Sequence, residues 1–162
     1  PKLTGGFGFS FTYDRWRLNS QFVYRVGYDI LNMARLNAEA MTGNNNQGQA
    51  VNYRWRKEGD VTSIPRAMHG RTSYNTLVSD RFVEDGSYLR MSYLQLNYDL
   101  PQRYLKWCGL KRVSLYASGN NLFVLTKYTG VDPDISCGEG PAVDRAQTPR
   151  SRSYTFGMTV NF

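Results

Sequence analysis

The sequence predicts an all-β chain of five antiparallel strands, each long enough to cross a membrane. Three observations predict it. Apolar and polar residues alternate at period two, the alternating stretches run to about ten residues or more, and their connections alternate between short and long. A helix would spread such residues around its circumference, whereas a strand sorts them onto two faces.

In the first stretch Phe7, Phe9, Phe11 and Tyr13 alternate with Gly6, Gly8, Ser10, Thr12 and Asp14. The second sets Trp16, Leu18, Phe22, Tyr24, Val26 and Tyr28 against Arg17, Asn19, Gln21, Arg25 and Gly27. The third, Tyr88 to Leu100, sets Leu94, Leu96, Tyr98 and Leu100 against Gln95, Asn97 and Asp99. Its first half, with Leu89, Met91 and Tyr93, has the opposite parity, which reads as a bulge or as a stretch above the membrane. The fourth, Lys111 to Leu125, opposes Val113, Leu115 and Ala117 to Arg112, Ser114 and Tyr116. The fifth is the cleanest: Tyr154, Phe156, Met158, Val160 and Phe162 against Ser153, Thr155, Gly157, Thr159 and Asn161. A globular sheet uses strands of about five or six residues, whereas about 9–11 tilted residues cross a hydrocarbon core.

The turn at Tyr13–Trp16 is very short and Pro101 to Leu110 is moderate, while Asp29 to Ser87 and Thr126 to Arg152 are long. Outer-membrane barrels have short periplasmic turns and long extracellular loops. With a periplasmic C-terminus, both long connections fall outside and both short ones inside. Within the longest connection, Asp29 to Met41 reads as a short helix with Ile30, Met33, Ala34 and Asn37 on roughly one face, and Asn44 to Gly48 as a polar breaker. Neither a domain boundary nor an internal repeat is visible.

Composition agrees. Aromatic residues make up 14 % of the 162 residues, with Tyr (12) outnumbering Phe (8) and Trp (3), a balance suited to surfaces apolar at one end and wet at the other. The negative mean hydropathy of −0.53 argues only against membrane helices, because a transmembrane strand turns alternate side chains into a polar lumen. No apolar run approaches the roughly 20 residues a spanning helix needs. The net charge of +7 comes from dispersed Lys and Arg, with neither a basic helix nor a nucleic-acid motif, so no nucleic-acid partner is expected. Pro1 begins without a basic n-region or apolar h-region, so the sequence is expected to be a piece of a longer exported protein.

Specific segments then add to this pattern. Pro1-Lys2-Leu3-Thr4-Gly5-Gly6-Phe7 resembles the start of a late barrel strand in SusC/RagA-type TonB-dependent outer-membrane transporters. Trp55 followed by Asp60 to Arg66 is similar to an extracellular-loop segment of that family. Ser79 to Arg90, Asn120 to Phe123, Thr126 to Asp134, Pro149-Arg150 and the terminal strand follow in the family's order over essentially the whole chain. The resemblance implies that residues 1–162 are the last five antiparallel strands of a 22-stranded transmembrane barrel, with signal peptide, plug and earlier strands upstream. It further implies TonB-dependent import of an oligosaccharide or oligopeptide across the outer membrane of Bacteroidetes-type bacteria. The partners it implies are a SusD-like surface lipoprotein and TonB, the latter reached through the missing N-terminal segment. No cofactor is implied.

Several residues carry more than one reading. A terminal Phe with alternate apolar residues resembles the signal read by the barrel-assembly machinery, and Tyr154, Phe156, Met158, Val160 and Phe162 would also face outer-membrane lipid. Arg17, Asn19, Gln21 and Arg25, with Gln95, Asn97 and Asp99, are candidates for the lumen face, touching plug, solute or only water. Tyr53, Trp55 and Tyr74 are candidate extracellular-loop contacts, whether stacking on a sugar ring or packing against loop or partner. Asp132, Asp134, Glu139 and Asp144 lack the spacing of the twelve-residue calcium loop and read as solvated loop. His69 has no partner cluster. Cys108 and Cys137 would lie on opposite sides of the membrane, far beyond the roughly 7 Å between Cα atoms that a disulfide tolerates.

The alternative reading is a soluble secreted β-sandwich that binds carbohydrate, which would also use aromatics, Gly-rich strands and polar loops. An enzyme is not expected: the sequence offers neither a nucleophile with its base nor a paired-carboxylate arrangement. Five strands leave two open edges, so the isolated segment is expected to aggregate.

Overall fold

The computed structural model describes residues 1–162 apart from 43, 45, 69–73, 107–108 and 137–139. His69, Cys108, Cys137 and Glu139 therefore lie outside the described residues. In chain order the elements are β1 (Leu3–Tyr13), β2 (Trp16–Val26), β3 (Asp29–Asn32), α1 (Met33–Glu39), β4 (Val83–Asp85), β5 (Tyr88–Asp99), α2 (Gln102–Leu105), β6 (Arg112–Thr126), β7 (Ala142–Asp144) and β8 (Ser153–Asn161). Single 3₁₀ turns occupy Gln49–Tyr53, Tyr74–Thr76 and Asp80–Phe82. The chain divides into two compact units, one of residues 1–28, 87–127 and 149–162, the other of residues 29–86 and 128–148.

The first unit is an antiparallel sheet of five strands in the order β1-β2-β5-β6-β8. All five long strands expected from the alternation are present. One row of paired residues shows how the alternation becomes a surface: Phe11 lies opposite Leu18, Leu18 opposite Leu96, Leu96 opposite Ala117, and Ala117 opposite Phe156. At the tip of the β1–β2 hairpin Asp14 takes a left-handed conformation (φ 49°), which Asp tolerates better than bulkier residues and which suits a tight two-residue turn.

The parity reversal in β5 is a bulge. Gln21 pairs with Tyr93 but Phe22 pairs with Met91, so Ser92 is an extra residue, and its hydroxyl donates to the Gln21 carbonyl at 3.1 Å. Strand β6 answers with its own irregularity, pairing Met91 with Phe123 and Tyr93 with Asn120, and placing Asn121 at φ 52°. The result keeps Leu89 and Met91 on the face that carries Leu94 and Leu96. Tyr93, grouped by parity with those apolar residues, instead lies on the opposite face, because the extra residue precedes it.

The long connections leave from the sheet end marked by Val26, Tyr88, Thr126 and Ser153, and the short ones from the end marked by Tyr13, Trp16, Asp99 and Arg112. Asn161 pairs with Arg112, so β8 finishes at the short-connection end. Among the described residues β1 and β8 each pair on one side only.

The second unit is built on a small sheet, β4-β3-β7, in which β3 runs antiparallel to β4 and parallel to β7. Here the expected helix over 29–41 is corrected: its first four residues form β3, and α1 begins only at Met33. Ile30 is fully buried between its partners Glu84 and Ala142, and a β-branched residue suits that central strand. Asn32 then caps the helix, accepting a hydrogen bond from the Arg35 N–H at 2.8 Å. The buried helix positions are Leu36 and Glu39, not Met33, Ala34 and Asn37. Val51, Ile64, Phe82, Tyr128, Ile135 and Ala142 complete the core of this unit.

Candidate functional site: a two-faced sheet and a bonded loop unit

One face of the five-stranded sheet is apolar and open. Phe9, Phe11 and Phe156 are 57 %, 63 % and 79 % exposed, values that only an apolar surrounding would relieve. Phe7 stacks on Phe22 with ring centroids 5.0 Å apart, and Trp16 lies against Tyr98 at 4.5 Å. Tyr154, Phe156, Met158 and Val160 continue this face into the last strand, and Phe162 follows β8 fully open to its surroundings.

The opposite face gathers Arg17, Asn19, Gln21 and Arg25 from β2 with Gln95, Asn97 and Asp99 from β5, because each lies at the alternate parity to the apolar row. They are not isolated groups. The Tyr93 hydroxyl donates to Gln95 Oε1, and Gln95 Nε2 donates to Asn97 Oδ1 at 2.8 Å. The Ser10 hydroxyl donates to Asn19 Oδ1 at 2.7 Å, while Asp99 accepts from Ser114 and Arg112 at 2.5 Å each. The Arg25 guanidinium stands 5.5 Å over the Tyr28 ring. A shallow hollow of about 420 Å³ opens between Ser10, Asn19, Gln21 and Tyr93. Tyr93 and Ser10 were missed as members of this polar ladder; the cross-strand register, which the sequence does not display, is what brings them in. Gly157 is part of the same face: a Cβ there would stand 2.3 Å from the Tyr116 ring.

In the loop unit, Glu84 of β4 is the meeting point. Its carboxylate accepts from Asn32 Nδ2 at 3.3 Å, from Arg35 Nη1 at 3.1 Å, and from the backbone N–H of Thr129 at 2.9 Å. The Thr129 hydroxyl adds a bond at 2.7–2.8 Å. Arg35 also donates to the buried Glu39 at 2.8 Å, and Arg81 donates to the other Glu39 oxygen. Burial pushes the Glu84 carboxyl up, but the hydrogen bonds from Thr129 and from Arg35, with the Arg35 charge, together hold it below the usual carboxylate range. Beside this network a hollow of about 550 Å³ is lined by Ala34, Ala38, Gly48, Ala50 and Gly130, with Arg35 at its rim.

Tyr53 and Tyr74 are each 74 % exposed, so neither ring is packed into its own loop, while Trp55 is half-buried and its backbone N–H donates to the Ile64 carbonyl at 2.9 Å. Asp144 accepts from the buried Tyr128 hydroxyl at 2.5 Å and from the Ala146 N–H at 2.9 Å; Asp132 accepts from the Asp134 N–H at 2.9 Å. Among the described residues no cluster of three His, Cys, Asp or Glu is placed to hold a metal ion.

No protein-family model matches the sequence. Relatives do. The chain is 31 % identical, along its whole length, to TonB-dependent receptor P3 of Formosa agariphila, and 29 % identical over 96 % of its length to TonB-dependent receptor SusC of Bacteroides thetaiotaomicron. Its fold matches the RagAB peptide importer in the closed-closed state with a TM-score of 0.81 and 26 % identity over 98 % of the chain. The chain belongs to the SusC/RagA-type TonB-dependent receptors. It is a stretch of outer-membrane β-barrel, and the β-sandwich reading falls with that assignment: the five long strands form a single sheet whose fold matches the importer barrel. The chain spans 16 % of the length of P3 and 14 % of SusC. SusC-type relatives are named as receptors and importers, not as enzymes, in keeping with a chain expected to do no chemistry.

Proposed function

We propose that residues 1–162 are the C-terminal part of the barrel of a TonB-dependent importer, the last five of its 22 strands, that brings an oligosaccharide or oligopeptide nutrient across the outer membrane. The observation that carries this reading is the two-faced sheet: a continuous, exposed aromatic face backed by a hydrogen-bonded polar one, in a chain similar along its whole length to TonB-dependent receptors. The aromatic face meets lipid, and the polar face, with Arg17, Asn19, Gln21, Arg25, Gln95, Asn97 and Asp99, lines the lumen. The short-connection end is periplasmic and the loop unit extracellular.

The likeness to SusC and to the RagAB importer supports two partners. A SusD-like lipoprotein covers the extracellular loops, where the exposed Tyr53 and Tyr74 and the half-buried Trp55 offer aromatic contacts to lipoprotein or solute. TonB engages a segment outside this sequence. The terminal residues Tyr154, Phe156, Met158, Val160 and Phe162 present the barrel-assembly machinery with an extended aromatic strand whose outer edge is unpaired among the described residues.

The test is uptake of labelled oligosaccharides and oligopeptides by cells with the full-length receptor deleted, restored, or restored without TonB. Uptake of one class that needs both the receptor and TonB supports the reading. Unchanged uptake of every solute after deletion overturns it.

A further inference from the structure

The apolar face carries a groove that its neighbours do not share. Ala117 is a small residue flanked in the register by Leu96 and Phe156, and beside that row stand Trp16, Tyr98 and Leu115. Together they enclose a hollow of about 380 Å³ that is almost wholly apolar. The neighbouring row also carries small residues, Ser20 and Gly119, but both are buried, and the Leu122 side chain takes the space beside Gly119. The Trp16–Tyr98 pair forms one wall, at the end of the sheet where the short connections lie.

That end is basic. Residues 13–16 and 99–112 contain Arg15, Arg103, Lys106, Lys111 and Arg112 against only Asp14 and Asp99. Both acids are engaged: Asp99 accepts from Arg112 at 2.5 Å, and Asp14 lies 3.9 Å from Arg15. Arg103, Lys106 and Lys111 have no acidic partner among the described residues, and all three are exposed. Lys111 immediately precedes β6 and continues its pairing, donating its backbone N–H to the Asn161 carbonyl at 2.9 Å, and it shares the parity of Leu115 and Ala117 on the apolar side. Four to six residues along a strand separate it from the groove, roughly 13–20 Å at about 3.3 Å per residue. A tilt near 45° reduces this to about 9–14 Å of depth, within one leaflet of a roughly 30 Å hydrocarbon core.

We propose that this groove and the basic end beside it form a binding site for one phospholipid with an anionic headgroup, its acyl chain lying over Ala117 and its phosphate held by Lys106 and Lys111. The site rests on the reading that the aromatic face meets lipid. Shape supplies the seat for the chain, and charge selects the headgroup, because basic residues at a membrane surface favour anionic lipid. Trp16 and Tyr98 lie at the level where amphipathic rings meet headgroups.

The experiment uses the full-length receptor in nanodiscs doped with phosphatidylglycerol or phosphatidylcholine carrying a photoactivatable acyl chain, with crosslinks mapped to peptides. Crosslinks to residues 94–98, 113–117 and 154–158 are expected at roughly fivefold higher yield with phosphatidylglycerol, about the effect of one basic contact at an anionic surface. Ala117→Phe, a substitution on an apolar face that leaves barrel pairing intact, removes these crosslinks but not those to Phe7–Phe11. The double variant Lys106→Gln, Lys111→Gln brings the two lipids to equal yield. Equal yields on the wild-type receptor, or crosslinks indifferent to Ala117→Phe, overturn the site. Absence of crosslinks at Phe7–Phe11 as well would instead overturn the lipid-facing assignment on which it rests.

Discussion

The Glu84 carboxylate holds both the backbone N–H and the hydroxyl of Thr129, 45 residues further along the chain. Both long connections of the barrel segment meet in that contact, beside the parallel pairing of β3 with β7. Hydrogen bonds to a charged, part-buried acceptor are worth about 1.5–3 kcal/mol. Glu84→Ala removes several such bonds and is therefore expected to destabilise the loop unit by at least that much, while the long strands remain assembled. Hydrogen exchange would register it as lost protection at Thr129 and in β3, with protection of β5 and β6 unchanged.

The same contact sets a pH response. Glu84 is held below its ordinary value of 4.5, so its stabilisation is complete above that pH and is lost as pH falls through the lower folded value. Exchange protection around Thr129 should decline on acidification below about pH 4.5, and the decline should vanish in Glu84→Gln. Protection that stays flat in the wild type would refute the assignment.

Gly157 has no room for a side chain, because the Tyr116 ring occupies the space a Cβ would take. Gly157→Ala is expected to cost about 1–3 kcal/mol through overpacking. Tyr116→Ala in the same chain should restore most of it. Heat-modifiability of the full-length barrel on gels reports both: the single variant unfolds at lower temperature, the double variant near the wild type.

Ser92 is the residue that lets β5 change parity. Deleting it would turn Leu89 and Met91 onto the polar face and Tyr88 and Arg90 onto the aromatic one. An Arg facing lipid costs about 2–4 kcal/mol at midplane and less near the interface. The deletion is expected to lower the yield of folded barrel, whereas Ser92→Ala, which keeps the register and loses one hydroxyl bond, should assemble normally.

The two faces can be separated by one charge. Phe156→Arg puts a guanidinium on the aromatic face at a cost of about 2–4 kcal/mol, while Thr155→Arg puts it on the polar face at little cost. Yield of folded barrel in membranes should fall for the first and hold for the second; equal yields would contradict the assignment of faces.

These elements were not equally legible in the sequence. Strands such as β8 announce themselves because nine residues that alternate between apolar and polar leave no ambiguity of period. The bulge was visible too, as the shift from Leu89 and Met91 to Leu94 and Leu96, since a slip of one residue must appear in the pattern. By contrast β3, β4 and β7 are three or four residues long, too short for a period to show. Ile30 therefore passed for a helical residue, and only pairing with Glu84 and Ala142 made it a strand. The Glu84 network was invisible for a related reason: its members are spread from Asn32 to Thr129, and no local spacing connects them. The seven polar-face residues were readable by parity alone, but their links to Tyr93 and Ser10 depend on register.

The loop unit is made of two stretches of chain, residues 29–86 and 128–148, with β5 and β6 threaded between them. Neither stretch can complete the unit by itself: β3 and β4 come from the first, β7 and Thr129 from the second. The Glu84–Thr129 bond therefore closes a loop of 45 residues that contains both β5 and β6. A chain lacking the second stretch would leave β3 without its partner on the β7 side, so the unit is a clasp whose two halves flank the hairpin it secures.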